Sequence, residues 1–180
     1  MIIRLTQKLA NKIKVVPATA LPRHQNPFAD WAANLFTVRR VQYVLLTNSA
    51  SLYSVIFHGR GLSSPDMFLE RALSALADQM RSAGFGAIFD QCITPLMREI
   101  IFSKTGDRGL LGSMNDHVRC AGYDLENPDE SPLTASFKLN ETPMGLLDYC
   151  VPLEVLVMQA GISGLRKRTG AKVIPFPRRS

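Results

Sequence analysis

Residues 35–57 read LFTVRRVQYVLLTNSASLYSVIF, and this stretch decides the fold. Leu35–Val38, Val41–Thr47 and Leu52–Phe57 are rich in β-branched and aromatic residues, and polar clusters at Arg39-Arg40 and Asn48–Ser51 separate them. Val41, Tyr43 and Leu45 alternate with their neighbours, as do Leu52, Ser54 and Ile56. Connections this short join antiparallel neighbours, so the segment is expected to form a three-stranded meander.

Outward from the meander the pattern turns mainly helical. Ile2–Leu5 reads as a short strand, and Thr6 caps an expected helix through Lys14 whose Leu5, Leu9 and Ile13 recur every four residues. Asn26-Pro27 is a helix-start signal, predicting a short helix that carries Phe28 and Trp31 into the core. Ser64-Pro65-Asp66 opens the longest helix, to about Ala83, ahead of Gly84. Short helical turns are expected over Ala87–Ile93, a strand over Arg98–Lys104, and helices over Arg108–Cys120, Leu133–Leu139 and Leu153–Ala160. The resulting fold class is α+β: a mainly antiparallel sheet with helices packed on one face, a single domain over residues 1–164. The remainder, 165–180, reads as a basic, disordered C-terminal tail.

Composition bounds the function classes. The chain has 180 residues, 46% of them hydrophobic, which suits one globular domain and excludes wholesale disorder. Its net charge of +6 is uneven. Residues 1–60 carry eight Lys and Arg against the single Asp30, residues 61–164 carry seven against fourteen Asp and Glu, and the tail adds six cations with no acid. Cys92, Cys120 and Cys150 are odd in number and far apart, which argues against a disulfide framework, a disulfide-linked partner or a zinc ribbon. Buried or half-buried free thiols in a reducing compartment are expected. The longest uncharged run, Val41–Phe57, contains Gln42 and the polar cluster at 47–51, so no membrane span is expected and the protein is read as cytoplasmic.

No P-loop, nucleophile-elbow, zincin or paired CxxC motif is present. His117-x-x-Cys120 has a helical ligand spacing, but two ligands are too few for a metal, and neither metal nor cofactor is expected. Gly59-Arg60-Gly61 lacks the third glycine of a dinucleotide fingerprint, although the amides of the following helix start, beside Arg60, offer a place for one phosphate. The most suggestive stretch is Lys104-Thr105-Gly106-Asp107-Arg108, which ends a strand, turns on glycine and starts a helix. Lys104 and Arg108 supply charge there, helix-start amides supply donors, and Asp107 caps the helix or orients Arg108. Asn115 follows two turns along the same helix.

Arg4-Leu5-Thr6-Gln7-Lys8-Leu9, Trp31-Ala32-Ala33-Asn34-Leu35, Leu45-Leu46-Thr47-Asn48, Lys104–Arg108 and Met114-Asn115 together resemble a family of small bacterial proteins known as a domain of unknown function. The resemblance spans roughly residues 1–150, and its most specific parts are the KTxDR…N and WxANL segments. Ala32 stands where that family often has histidine, which removes an acid–base group from this position. The resemblance implies one domain and no particular activity.

These readings define a candidate ligand site of Lys8, Trp31, Asn34, Lys104, Asp107, Arg108 and Asn115, gathered around one electropositive pocket. The first expectation is a binding module for a phosphate-bearing partner, nucleic acid included. The alternatives are a structural or interaction protein in which Asp107 is only a cap, and a small enzyme in which Asp107 works beside lysine and arginine on an anionic substrate.

Overall fold

The computed structural model describes residues 1–161. Strands β1 (Ile2–Leu5), β2 (Asp30–Val38), β3 (Val41–Asn48), β4 (Ser54–His58) and β5 (Ile101–Lys104) form one sheet in the order β4-β3-β2-β1-β5. The meander is present as expected, with β2–β3 and β3–β4 antiparallel. The sheet as a whole is mixed, because β1 lies parallel to both β2 and β5. This corrects the mainly antiparallel expectation. The parallel β1-α1-β2 unit is hard to see in the sequence because a long segment, residues 14–29, separates helix α1 (Gln7–Ile13) from β2.

Helices cover both faces, which corrects the one-faced arrangement. Trp31, Ala33, Leu35, Val44, Leu46, Val55 and Phe57 pack on the first face against α1, α2 (Pro65–Ser82) and the short α3 (Gly86–Ile88). Ala32, Phe36, Val38, Tyr43, Leu45 and Ile56 pack on the second against α4 (Arg108–Leu125) and α5 (Pro132–Asn140). Strands buried on both sides read as nearly continuous apolar runs, which is how Val41–Leu46 reads. The last helix, α6 (Pro152–Ala160), adds Leu156 to the first core.

The expected helix at Phe28–Trp31 is absent. Asn26 Oδ1 accepts from the Phe28 N–H at 2.9 Å and its carbonyl accepts from the Ala29 N–H at 3.1 Å, so the capping chemistry closes a single turn. Trp31 then lies in β2, with its ring in the first core. Cysteine placement also departs from expectation: Cys92 is half-buried, but Cys120 and Cys150 are exposed. The tail at 165–180 lies outside the described residues.

Both sheet edges are closed. At β5, Ala18 forms a parallel bridge with Ser103, accepting from the Lys104 N–H and donating to the Phe102 carbonyl, each at 3.0 Å. At β4, side chains of α5 replace a neighbouring strand. Asn140 accepts from the Ser54 N–H at 2.7 Å and donates to the Ser54 carbonyl at 2.8 Å, and Ser136 Oγ accepts from the Ile56 N–H at 2.8 Å. Asn140 and Ser136 are four residues apart, so one face of α5 presents both to the strand. Asn140→Ala leaves the buried Ser54 N–H without its acceptor and is expected to cost about 2 kcal/mol in urea unfolding. A loss under about 0.5 kcal/mol would show that the edge does not depend on this amide.

Candidate functional site

β1, β2, β4 and β5 all run the same way, so four connections emerge at one end of the sheet. They are the β1–α1 junction at Thr6, the β2–β3 hairpin at Arg39-Arg40, the β4–α2 loop from Gly59, and the β5–α4 turn at 105–107. From the adjacent strands β1 and β5 the chain departs to opposite faces, α1 to the first and α4 to the second. A reversal of this kind at the carboxyl ends of parallel strands opens a crevice, the usual place for a ligand in open α/β sheets.

Lys104 pairs in register with Leu5, and Leu5 with Ala33, which brings Lys104, Thr6 and Asn34 to this end. The Thr6 hydroxyl donates to Asn34 Oδ1 at 3.2 Å. Lys8 stands exposed on the first turn of α1, and Lys104 and Arg108 stand exposed on either side of the β5–α4 turn. Asp107 caps α4, its Oδ1 accepting from the Leu110 N–H at 3.0 Å, while Oδ2 accepts from Arg23 at 3.1 Å. With both oxygens engaged, this carboxylate is a cap and a tether for residue 23.

Two of the expected residues lie elsewhere. Trp31 is 1% exposed and its indole N–H donates to the Phe28 carbonyl at 2.8 Å, so it presents nothing to a ligand. Asn115 is exposed two turns down α4, about 10 Å from Arg108 along the axis. Lys8 and Arg108 flank the sheet end from opposite faces, so the charged groups form a rim around it and not one pocket.

Beside this rim lies a cavity of about 350 Å³ between the start of α4 and residues 20–23, and of the expected set only Asp107 lines it. Its wall includes Arg4, 6% exposed, which donates from Nε and Nη2 to the two oxygens of Asp30, each at 2.7 Å. Arg4 also donates to the carbonyls of Leu21 at 2.7 Å and Pro22 at 2.9 Å. Asp30 further accepts from the His24 N–H at 3.0 Å and the Ser49 hydroxyl at 2.9 Å. Burial opposes ionisation of Asp30, but Arg4 and these donors outweigh it and hold the carboxyl below its usual range. The hydrogen bond to Asp30 raises the pKa of Arg4 in turn, against the opposing effect of burial. Sequence reading missed this pair, although one signal was there: Asp30 is the only acid among the first 60 residues.

His117 and Cys120 do not converge, since His117 is buried and Cys120 exposed. His117 Nδ1 meets Ser54 Oγ at 2.9 Å, and Ser54 Oγ also contacts Thr47 Oγ1 at 2.8 Å and donates to the Leu52 carbonyl at 2.9 Å. A hydroxyl has one proton. Ser54 therefore accepts from Thr47 and from a protonated Nδ1, which leaves His117 Nε2 as a bare acceptor, buried and without a partner. Among the described residues no group of three or more His, Cys, Asp or Glu is placed to hold a metal, and no helix is long and apolar enough to cross a membrane.

The fold is a single α+β domain, as expected, in which a mixed five-stranded sheet lies between two layers of helices. The chain belongs to the family described as Domain of unknown function (DUF6933), whose model matches residues 2–155. No curated protein matches it.

Two outcomes test this geometry. Asp30→Ala strands the buried Arg4 charge and is expected to cost about 3–5 kcal/mol in equilibrium unfolding, whereas a surface pair would cost under about 1 kcal/mol. Burial lowers the His117 pKa from 6.5 to about 4, with Asp116 opposing the shift. Between those values the unfolded chain takes up a proton that the folded chain refuses. Stability from this site is therefore complete above pH 6.5 and declines as pH falls to about 4, by about 3 kcal/mol in all. Urea melts of His117→Gln should show a flatter dependence over that interval, and an unchanged slope would contradict the assignment.

Proposed function

We propose that this domain binds a phosphate-bearing partner at the end of the sheet where β1, β2 and β5 terminate. One observation carries the reading. Among the described residues, eight Lys and Arg side chains make neither a hydrogen bond nor an ion pair, and six of them stand at or just after the carboxyl ends of β1, β2, β4 and β5: Lys8, Arg39, Arg40, Arg60, Lys104 and Arg108. Lys14 and Arg98 are the other two. By contrast, Arg4, Arg23, Arg81, Arg119 and Lys138 are tied to carboxylates.

Chemistry at the β5–α4 turn supports the same reading. Asp107 already takes the Leu110 N–H, while the N–H groups of Arg108 and Gly109 in the first turn of α4 have no acceptor within the helix and lie between Lys104 and Arg108. A phosphate there meets backbone donors and two cations without displacing any pair the fold uses. The rim is open and lies on both faces, which suits an extended polyanion such as nucleic acid better than an enclosed small molecule.

The test separates this rim from the basic tail. A full-length variant with Arg166, Lys167, Arg168, Lys172, Arg178 and Arg179 changed to Gln is titrated against labelled single-stranded and duplex oligonucleotides between 50 and 300 mM salt. Binding should weaken steeply with salt. Adding Lys104→Gln and Arg108→Gln should reduce the log–log slope by about 1.5. No binding of either form at 50 mM salt would remove the proposal.

A further inference from the structure

The β2–β3 hairpin closes on Val38 and Val41 through two residues, Arg39 at φ 43° and Arg40 at φ 68°. Two-residue hairpins of this left-handed kind favour Asn-Gly, because a side chain at positive φ crowds the backbone. Two arginines therefore occupy the tip against local preference, and neither side chain has a partner among the described residues. Backbone held in such a state is a reason to look for function beside it.

Beside it lies a groove of about 290 Å³ between the hairpin and α4. Arg39 and Arg119 stand at its margin, Tyr123 and Glu126 line it, and Gly122 forms part of its floor. Tyr123 is 75% exposed, a large ring left on the surface with nothing packed over it. A Cβ added at Gly122 would meet no atom within 4 Å, so the floor is open above the helix backbone.

We infer that this groove holds one unpaired base of a single-stranded nucleic acid, stacked on Tyr123, with the flanking phosphates on Arg39 and Arg40. The inference rests on the phosphate-binding reading above and names its partner class. Volume and charge set the orientation. The groove admits one flat ring, and the exposed Glu126 that lines it repels phosphate but can accept a hydrogen bond from a base amino group. The phosphates then lie outward, over the hairpin tip, with Arg119 within reach although it also pairs with Asp116 at 3.4 Å. The hairpin lies at the same end of the sheet as Lys104 and Arg108. Arg39 lies six residues, about 20 Å, beyond the level of Lys104, a distance an extended strand of a few nucleotides can cover. Aromatic stacking beside a cationic track is how sequence-tolerant single-strand binding works.

The experiment uses the full-length, tail-neutralised chain and a labelled 12-nucleotide single strand, with its duplex and polyglutamate as competitors. Single-strand binding is expected to exceed duplex binding by about tenfold. Tyr123→Ala should weaken it about tenfold with the salt slope unchanged, and Arg39→Gln with Arg40→Gln should lower the slope by about 1.5. Gly122→Leu fills the groove at an ordinary helix position where the fold has space, and should match Tyr123→Ala without lowering the melting temperature. If Tyr123→Ala and Gly122→Leu bind like the parent while Lys104→Gln with Arg108→Gln does not, the groove assignment fails and the strand-end reading stands. Equal affinity for duplex, or displacement by polyglutamate at matched charge, overturns the single-strand assignment. Absence of any nucleic-acid binding overturns both.

Discussion

The ion pair between Arg4 and Asp30 ties together parts of the chain that the sheet alone does not hold. Arg4 belongs to the interior strand β1, Asp30 starts the neighbouring β2, and the guanidinium also grips the carbonyls of Leu21 and Pro22. Within the segment between α1 and β2, none of residues 18–27 is buried, so polar contacts must order that stretch. Asp30 accepts four hydrogen bonds from three residues, two from Arg4 and one each from His24 and Ser49, and this is why a charged pair is tolerable at a nearly dry position. Once residues 20–23 are fixed, Arg23 can reach Asp107, and the start of α4 is tethered to the same segment.

Closing both sheet edges has a functional consequence. α5 supplies amide and hydroxyl groups to β4, and the Ala18 bridge covers part of β5, so much of the backbone at each edge is already paired. Both faces lie under helices. The ends of the sheet are what remain. At the end where the parallel strands finish, the connections are short and carry arginine and lysine, and their side chains project past the layers instead of packing between them.

How much of this was legible depended on whether the signal was local. The meander, the Ser64 cap and the Asp107 cap are written in adjacent residues, and the structure has each of them. The parallel placement of β1 was not, because β1 is four residues long and its partners lie some 30 and 100 positions away. Two-sided burial was visible only as the absence of polar alternation in Val44–Leu46. Asn26-Pro27 misled because a capping side chain serves a single turn as well as a helix. For the site, sequence located Lys8, Asn34, Lys104, Asp107 and Arg108 at what proved to be one end. Trp31, expected in the core but also counted in the ligand site, has its whole side chain in the core. Arg4 with Asp30, and Tyr123 beside the hairpin, depend on tertiary contacts that no spacing encodes.

Gathering six unpartnered cations at one end has a cost that can be sized. Two unit charges 10 Å apart in water repel by about 0.4 kcal/mol, and physiological salt, with a screening length of about 8 Å, reduces this further. Summed over the neighbouring pairs, the penalty is on the order of 1 kcal/mol, which a fold stable by about 5–15 kcal/mol carries easily. The same charges are far more effective toward a polyanion than against one another, because each phosphate they neutralise releases condensed counterions into solution. Evenly placed acids would have removed the repulsion, and the chain has fourteen in residues 61–164. In the structure Asp90, Asp116, Asp124 and Glu130 pair with arginine or lysine elsewhere, and Asp107, the acid nearest the β5–α4 turn, is turned toward Arg23. Lys104 and Arg108 are left unneutralised beside a carboxylate already engaged by Arg23 and the Leu110 N–H, an arrangement that stability alone does not require.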